Sequence, residues 1–162
     1  MASGAAEQPP IPLLFRVFFT TLEPITALVG WYFAHFQQRH YLSLATHTPY
    51  NIQEEPDPGC AVALRQLANM YLLFAINEAL VLRATNDRRV WAALLFGLLV
   101  ADVGHLWSLR VLDLDHLYYT VTEWNPMDVG SIGIVYVGMA FRLSFFASLA
   151  AGRVVKPSEK QL

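Results

Sequence analysis

Two apolar runs, Ala61 to Leu82 and Val90 to Trp107, flank a short basic connection from Arg83 to Arg89. Each run is long enough to cross a bilayer, since ~20 mostly apolar residues at ~1.5 Å rise span the hydrocarbon layer. The short connection makes the pair a helical hairpin. The first run also carries Arg65, Gln66, Asn69, Asn77 and Glu78, and the second carries Asp102 and His105. An ionisable side chain at membrane depth costs about 3 kcal/mol or more unless it is paired or faces a cavity. Function is therefore sought where the hairpin keeps its polar groups.

Composition extends this reading to the whole chain. At 162 residues it is one domain's worth, and 55% hydrophobic with 15% charged is too apolar for an ordinary soluble domain. A net charge of −2 with no basic stripe excludes nucleic acid as a partner. The single cysteine, Cys60, has no second thiol for an internal disulfide or a zinc site. Gly97, Gly104 and the glycines after residue 129 sit in apolar sequence, not in a phosphate-cradling loop. With no redox motif or nucleophile elbow, no cofactor and no metal is expected.

Residues 1–11 form a polar N-terminal segment without Lys or Arg, so they do not make a secretory signal, and the run that follows is expected to stay as an anchor. That run covers about 12–36 and carries Arg16, Glu23-Pro24 and His35. A proline within a helix removes a hydrogen bond, which a membrane tolerates only where neighbours re-satisfy the freed carbonyl. This points Glu23 inward. From Gln37 to Gly59 the prolines at 49, 56 and 58 and an acidic cluster mark a loop rather than a helix. Val111 to Asp128 mixes acids with Tyr118, Tyr119 and Trp124, fitting an interfacial aromatic belt or a lid over a site. A fourth run, 129–151, offers small residues for close packing on the approach to Arg142, and 152–162 is a basic tail.

The expected architecture is all-α, a four-helix transmembrane bundle with a polar interior and spans at about 12–36, 61–82, 90–110 and 129–151. Six Lys or Arg lie in the hairpin connection and the tail, against Arg39 and the boundary residue Arg110 on the other side. The positive-inside rule then puts both termini in the cytosol. Counting rise along each span places Glu23, Asp102 and Arg142 near the midplane. Asn69, Arg65 and His105 fall nearer the lumenal face, and Arg16, Asn77 and Glu78 nearer the cytosol.

These groups allow two readings. Glu23 with Arg142, and Arg16 with Glu78, could be buried ion pairs that only fix helix register. Asp102 and His105 share a face three residues apart, with no cation beside them in sequence, and could act as a proton-transfer unit or be an ordinary core acid and histidine. One carboxylate and one imidazole are too few ligands for a metal site. The candidate catalytic residues are Asp102, His105, Glu78 and Glu23, and the candidate substrate-binding residues are Asn69, Arg65, Arg142 and Asn77.

The strings LEPITALVG from Leu22, NMYLLFAINEALVLRATNDRRVWAALLFGLLVADVGHLWSL from Asn69 and WNPMDVGSIGIVYVGMAFR from Trp124 resemble a fungal family of small four-span membrane proteins. The resemblance covers roughly Pro12 to Ala151. That family includes the epoxide hydrolase-like proteins of aurovertin- and citreoviridin-type polyketide clusters. It implies a cofactor-free enzyme of the endoplasmic reticulum that opens epoxides of a lipophilic polyketide, with membrane lipids and other enzymes of the same pathway as neighbours. The plan is also similar to the sterol isomerase and sigma-2 receptor group, in architecture only. A terpenoid cyclase or sterol-type isomerase, protonating an alkene, and a non-catalytic lipophile-binding or adaptor protein are the alternatives.

Overall fold

The computed structural model describes residues 10–48 and 55–154, with side chains described as far as Ala151, so most of the N-terminal segment and the basic tail lie outside the described residues. Among them every regular element is helical. Four helices are long and apolar enough to cross a membrane: α1 (Leu13–Phe36), α3 (Pro58–Ala84), α4 (Arg88–Leu112) and α5 (Pro126–Ala151). Their outward faces carry large apolar side chains such as Phe96, Val100, Val103 and Leu143, as a lipid-facing surface requires. The chain is an all-α four-helix bundle with the build of a multi-pass membrane protein.

Two spans begin three residues before their apolar runs, and capping explains the difference. The Asp57 carboxylate accepts the amides of Gly59 and Cys60 at 2.9 and 3.1 Å, with Pro58 in the first turn. Asn125 forms a capping box with Asp128, again with a proline, Pro126, next in the chain. A side-chain acceptor followed by proline is a strong helix start, and it extends each helix into polar sequence.

The interval from Gln37 to Gly59 corrects the expectation of a loop. Gln38–Ala45 is a helix, α2, because the prolines at 49, 56 and 58 all lie beyond it. Helix α2 ends at Thr46, after which His47 takes a left-handed φ of 53° and turns the chain. Its Leu44 carbonyl accepts from Asn125 Nδ2 at 2.8 Å, and His47 Nε2 lies 2.8 Å from Asp128 Oδ2. These contacts fasten α2 to the start of α5.

Helix α1 packs along α3, and α4 along α5. On α3 the inward face is Leu64, Ala68, Tyr71, Ala75, Glu78 and Leu82, a three-and-four spacing in which the two alanines let α1 come close. The two pairs meet at the hairpin end around Phe15, Phe18, Phe19, Leu82, Trp91, Leu95 and Phe145. Rings stack there, Phe18 on Phe141 at 4.1 Å and Phe15 edge-on to Phe145 at 5.5 Å. Toward the loop end the pairs part around a cavity of about 780 Å³ that opens to the outside of the bundle past Ile25, Val29 and Val129.

Three π-helical turns interrupt the spans, at Phe18–Leu22, Asn77–Val81 and Val129–Gly133. Such turns shift the hydrogen-bond register and leave carbonyls for other donors. The first precedes Pro24, which has no N–H to give the Thr20 carbonyl. Arg83 Nη2 supplies that bond at 2.7 Å and reaches Thr21 Oγ1 at 3.0 Å. The neighbour needed to repair the proline break is thus the first cation of the hairpin connection.

In the stretch from Val111 to Asp128, Trp124 donates to the Leu117 carbonyl at 2.6 Å and Tyr118 to the Leu106 carbonyl at 2.5 Å. Gly133 makes room for the Trp124 ring, since a Cβ there would lie 2.9 Å from it. Tyr119 alone of these three aromatics stays fully exposed, at 76%. Most of the aromatic segment is tied to the ends of α4 and α5.

Candidate active site

The floor of the cavity is a cluster of four charged side chains drawn from all four spans. Arg142 on α5 is 2% exposed, and its Nη2 lies 2.5 Å from Glu23 Oε1 of α1. Its Nη1 donates to Asp102 Oδ2 of α4 at 2.8 Å. Glu78 of α3 is 1% exposed, with Oε1 3.6 Å from Arg142 Nη2, too far for a hydrogen bond. Beneath, the Arg142 guanidinium lies 5.7 Å from the Phe19 ring, so the aromatic core closes the site on that side. All four polar residues line the cavity.

Helix geometry places these groups. Gly138 stands one turn before Arg142 on α5, and a Cβ there would fall 2.5 Å from Arg142 Nη1 and 3.0 Å from Glu23 Oε1. Only a residue without a side chain leaves the guanidinium this space while acids hold it on its other sides. Glu23 follows one π turn and Glu78 lies in another.

One guanidinium faces three carboxyls. Three ionised carboxylates would leave two uncompensated negative charges in a site with little water, which is costly. Charge balance is met when two of the carboxyls carry protons. Glu23 and Asp102 each accept a hydrogen bond from Arg142, whereas no donor among the described residues reaches the oxygens of Glu78, whose carboxyl lies in hydrogen-bond reach of Glu23. Glu78 is the group that fits a stored proton.

His105 sits one turn above Asp102 and turns to α5. Its Nε2 lies 3.0 Å from the Ser131 carbonyl, in the third π turn. A carbonyl only accepts, so Nε2 carries a proton and donates it to Ser131. His105 lines both the large cavity and a small chamber of about 40 Å³ closed by Leu117, Tyr118, Asp128 and Ile132. A chamber of that size has room for about one water.

The sequence-derived candidates divide as follows. Glu23 and Arg142 meet, as their depths suggest. Asp102 gains a cation after all, from a helix 40 positions along the chain. The suggested Arg16–Glu78 pair does not form: Glu78 goes to Arg142, and Arg16 lies over the Trp91 ring at 6.0 Å. Counting from the apolar ends sets Glu78 nearer the hairpin than Glu23 and Asp102, yet its carboxyl reaches the same Arg142 guanidinium. Asp102 and His105 share a face, yet no hydrogen bond joins them among the described residues, since the imidazole is taken by Ser131. Arg65 and Asn69 are exposed, and neither they nor the half-buried Asn77 line the cavity. The face bearing Leu64, Ala68, Tyr71 and Ala75 turns inward instead, and carries the polar stripe of α3 outward. Residue types alone did not bring Tyr41, Tyr71 and Gly30 forward, although the three-and-four spacing around Tyr71 was a usable signal; Gly138 was expected only as a packing residue before Arg142.

No curated protein and no solved structure matches this chain. A family model does match, over residues 8–151, and it takes in all four spans and every residue of the charged cluster. The chain belongs to the family described as a domain of unknown function, DUF7704.

Proposed function

We propose that this protein is a membrane-embedded, cofactor-free acid–base enzyme that opens epoxides of a lipophilic polyketide, within fungal secondary metabolism. The observation that carries the reading is Glu78: a buried carboxyl at the floor of a large apolar cavity, set against the Glu23 carboxyl with no donor on its own oxygens among the described residues, in a cluster with more carboxyls than cations. A proton donor beside a carboxylate is what epoxide opening needs. Glu78 gives its proton to the ring oxygen as the C–O bond breaks. Water adds to the carbon and loses a proton to Asp102 or Glu23, and transfer within the cluster returns that proton to Glu78. Epoxide and water become a diol, or an internal hydroxyl replaces water and a cyclic ether forms. The small chamber at His105 supports a water supply on the loop side.

One feature favours a second reading. Phe33, Tyr71 and Phe74 line the cavity above the acids and could stabilise a carbocation formed by protonating an alkene. The test is conversion of an epoxidised polyene by microsomes containing the protein in oxygen-18 water. A product that gains one labelled oxygen supports hydrolysis, and an unlabelled cyclic ether supports cyclisation. Conversion of the parent alkene but not the epoxide would replace the proposal with isomerase chemistry, and binding without conversion would replace it with an adaptor role.

The same reading proposes the endoplasmic reticulum as the membrane, with both termini cytosolic; the basic hairpin connection and tail support the orientation. A glycosylation tag inserted beside Gly59 should be modified. Modification of a C-terminal tag instead would reverse the orientation.

A further inference from the structure

At the loop end of the cavity, two tyrosine hydroxyls meet. Tyr41 on α2 and Tyr71 on α3 are 3.3 Å apart, and both line the cavity together with His40. Burial pushes the Tyr41 hydroxyl above its ordinary range, against a smaller lowering from the Tyr71 bond, so it stays protonated. Gly30 on α1 lets the Tyr71 ring lie flat against the helix, since a Cβ there would come within 3.3 Å of it.

The donor count is the informative point. Two phenols bring two protons, and the bond between them uses one. The second has no acceptor among the described residues. A part-buried donor that faces an apolar cavity without a partner is destabilising, and an acceptor inside the cavity would satisfy it. Between this pair and the acids the lining is apolar, with Phe33, Leu67, Met70, Phe74 and Leu98. Tyr71 and Glu78 are seven residues apart on one helix, which is roughly 10 Å along its axis.

We propose that the Tyr41–Tyr71 pair is a head-group site, and that the natural ligand is an elongated lipophile with an oxygen acceptor roughly 10 Å from its reacting bond. The oxygen binds the free phenol proton, the apolar middle fills the space between the helix pairs, and the reacting bond reaches Glu78. This deepens the reading of the cavity as a substrate site and rests on it.

The test measures binding rather than turnover, so its outcome separates from that of the chemistry. Full-length protein in lipid nanodiscs is photolabelled with dodecanol bearing a diazirine at its hydrocarbon end, and with the matching diazirine alkane, and labelled peptides are read by mass spectrometry. The alcohol should label the segments around Glu23, Glu78 and Asp102 about tenfold more efficiently than the alkane, the scale of one neutral hydrogen bond. Either single change, Tyr41→Phe or Tyr71→Phe, leaves one donor and should keep most of that preference. The double variant should erase it while alkane labelling persists, which also reports that the cavity is intact. Equal labelling by alcohol and alkane in the wild type would overturn the head-group site and leave the acid–base reading standing. Absence of labelling by both would overturn the cavity as a ligand site altogether.

Discussion

The two ends of this bundle solve opposite problems with the same four helices. At the hairpin end, Phe19, Leu82, Trp91, Leu95 and Phe145 are essentially inaccessible and fill the space between the helix pairs. At the loop end the pairs part around a cavity of about 780 Å³, bridged by α2 and the short turns before α5. The charged cluster stands at the boundary, with aromatic rings below and open space above. A four-charge cluster needs a rigid support, because acids that drifted from Arg142 would be stranded in a medium without water. A substrate needs room. The comparison teaches that the packed half supplies positional order and the open half supplies access, and that substitutions in each should fail in different ways.

The largest effect is expected at the boundary. Arg142→Gln removes the only cation of the cluster and should cost ~3–5 kcal/mol, seen as loss of monodisperse protein. Glu23→Gln added to it should recover part of that yield. Additive losses would show that the two side chains do not depend on each other.

Next in size come the core aromatics. Trp91→Ala or Phe145→Ala should cost ~3–5 kcal/mol in thermal or denaturant unfolding, the range for large buried rings. Leu67→Ala and Met70→Ala, which border the cavity, should each cost well below ~2 kcal/mol, the lower limit for a packed site. Equal losses in the two halves would break the comparison.

Gly138→Ala should be intermediate, at ~1–3 kcal/mol, because the added carbon meets a guanidinium already held by acids. The smallest effect is expected for Asn69→Ala, within ~0.5 kcal/mol, since its side chain is exposed on the outer face of α3. A large loss there would reveal a partner covering that face.

The spans were legible because a bilayer demands one thing of every helix, a long apolar run, and hydropathy reports it directly. Glu23 and Arg142 could be matched by depth for the same reason. Rotation about the helix axis was less legible. The amides of α3 drew attention as polar groups expected to turn inward, whereas the small residues Ala68 and Ala75 decide which face can approach α1. The cation for Asp102 comes from another helix and leaves no trace in local spacing. The π turns depend on tertiary contacts that repair the shifted register: Pro24 marks a freed carbonyl, but the donor that meets it, Arg83 on the Thr20 carbonyl, comes from the folded hairpin. The proposed proton donor is Glu78 rather than Asp102 because only geometry distinguishes an acid that accepts a hydrogen bond from Arg142 from one that faces a second carboxyl.

The most direct measurement is the single-turnover rate on an epoxidised polyene in nanodiscs, comparing wild type with Glu78→Gln at matched folded protein and matched alkane-diazirine labelling. Removal of a general acid should lower that rate by ~10² or more with binding retained, as is typical of such groups. A well-folded Glu78→Gln protein that turns over the epoxide at the wild-type rate would contradict the assignment of the reacting proton to the cluster on the cavity floor.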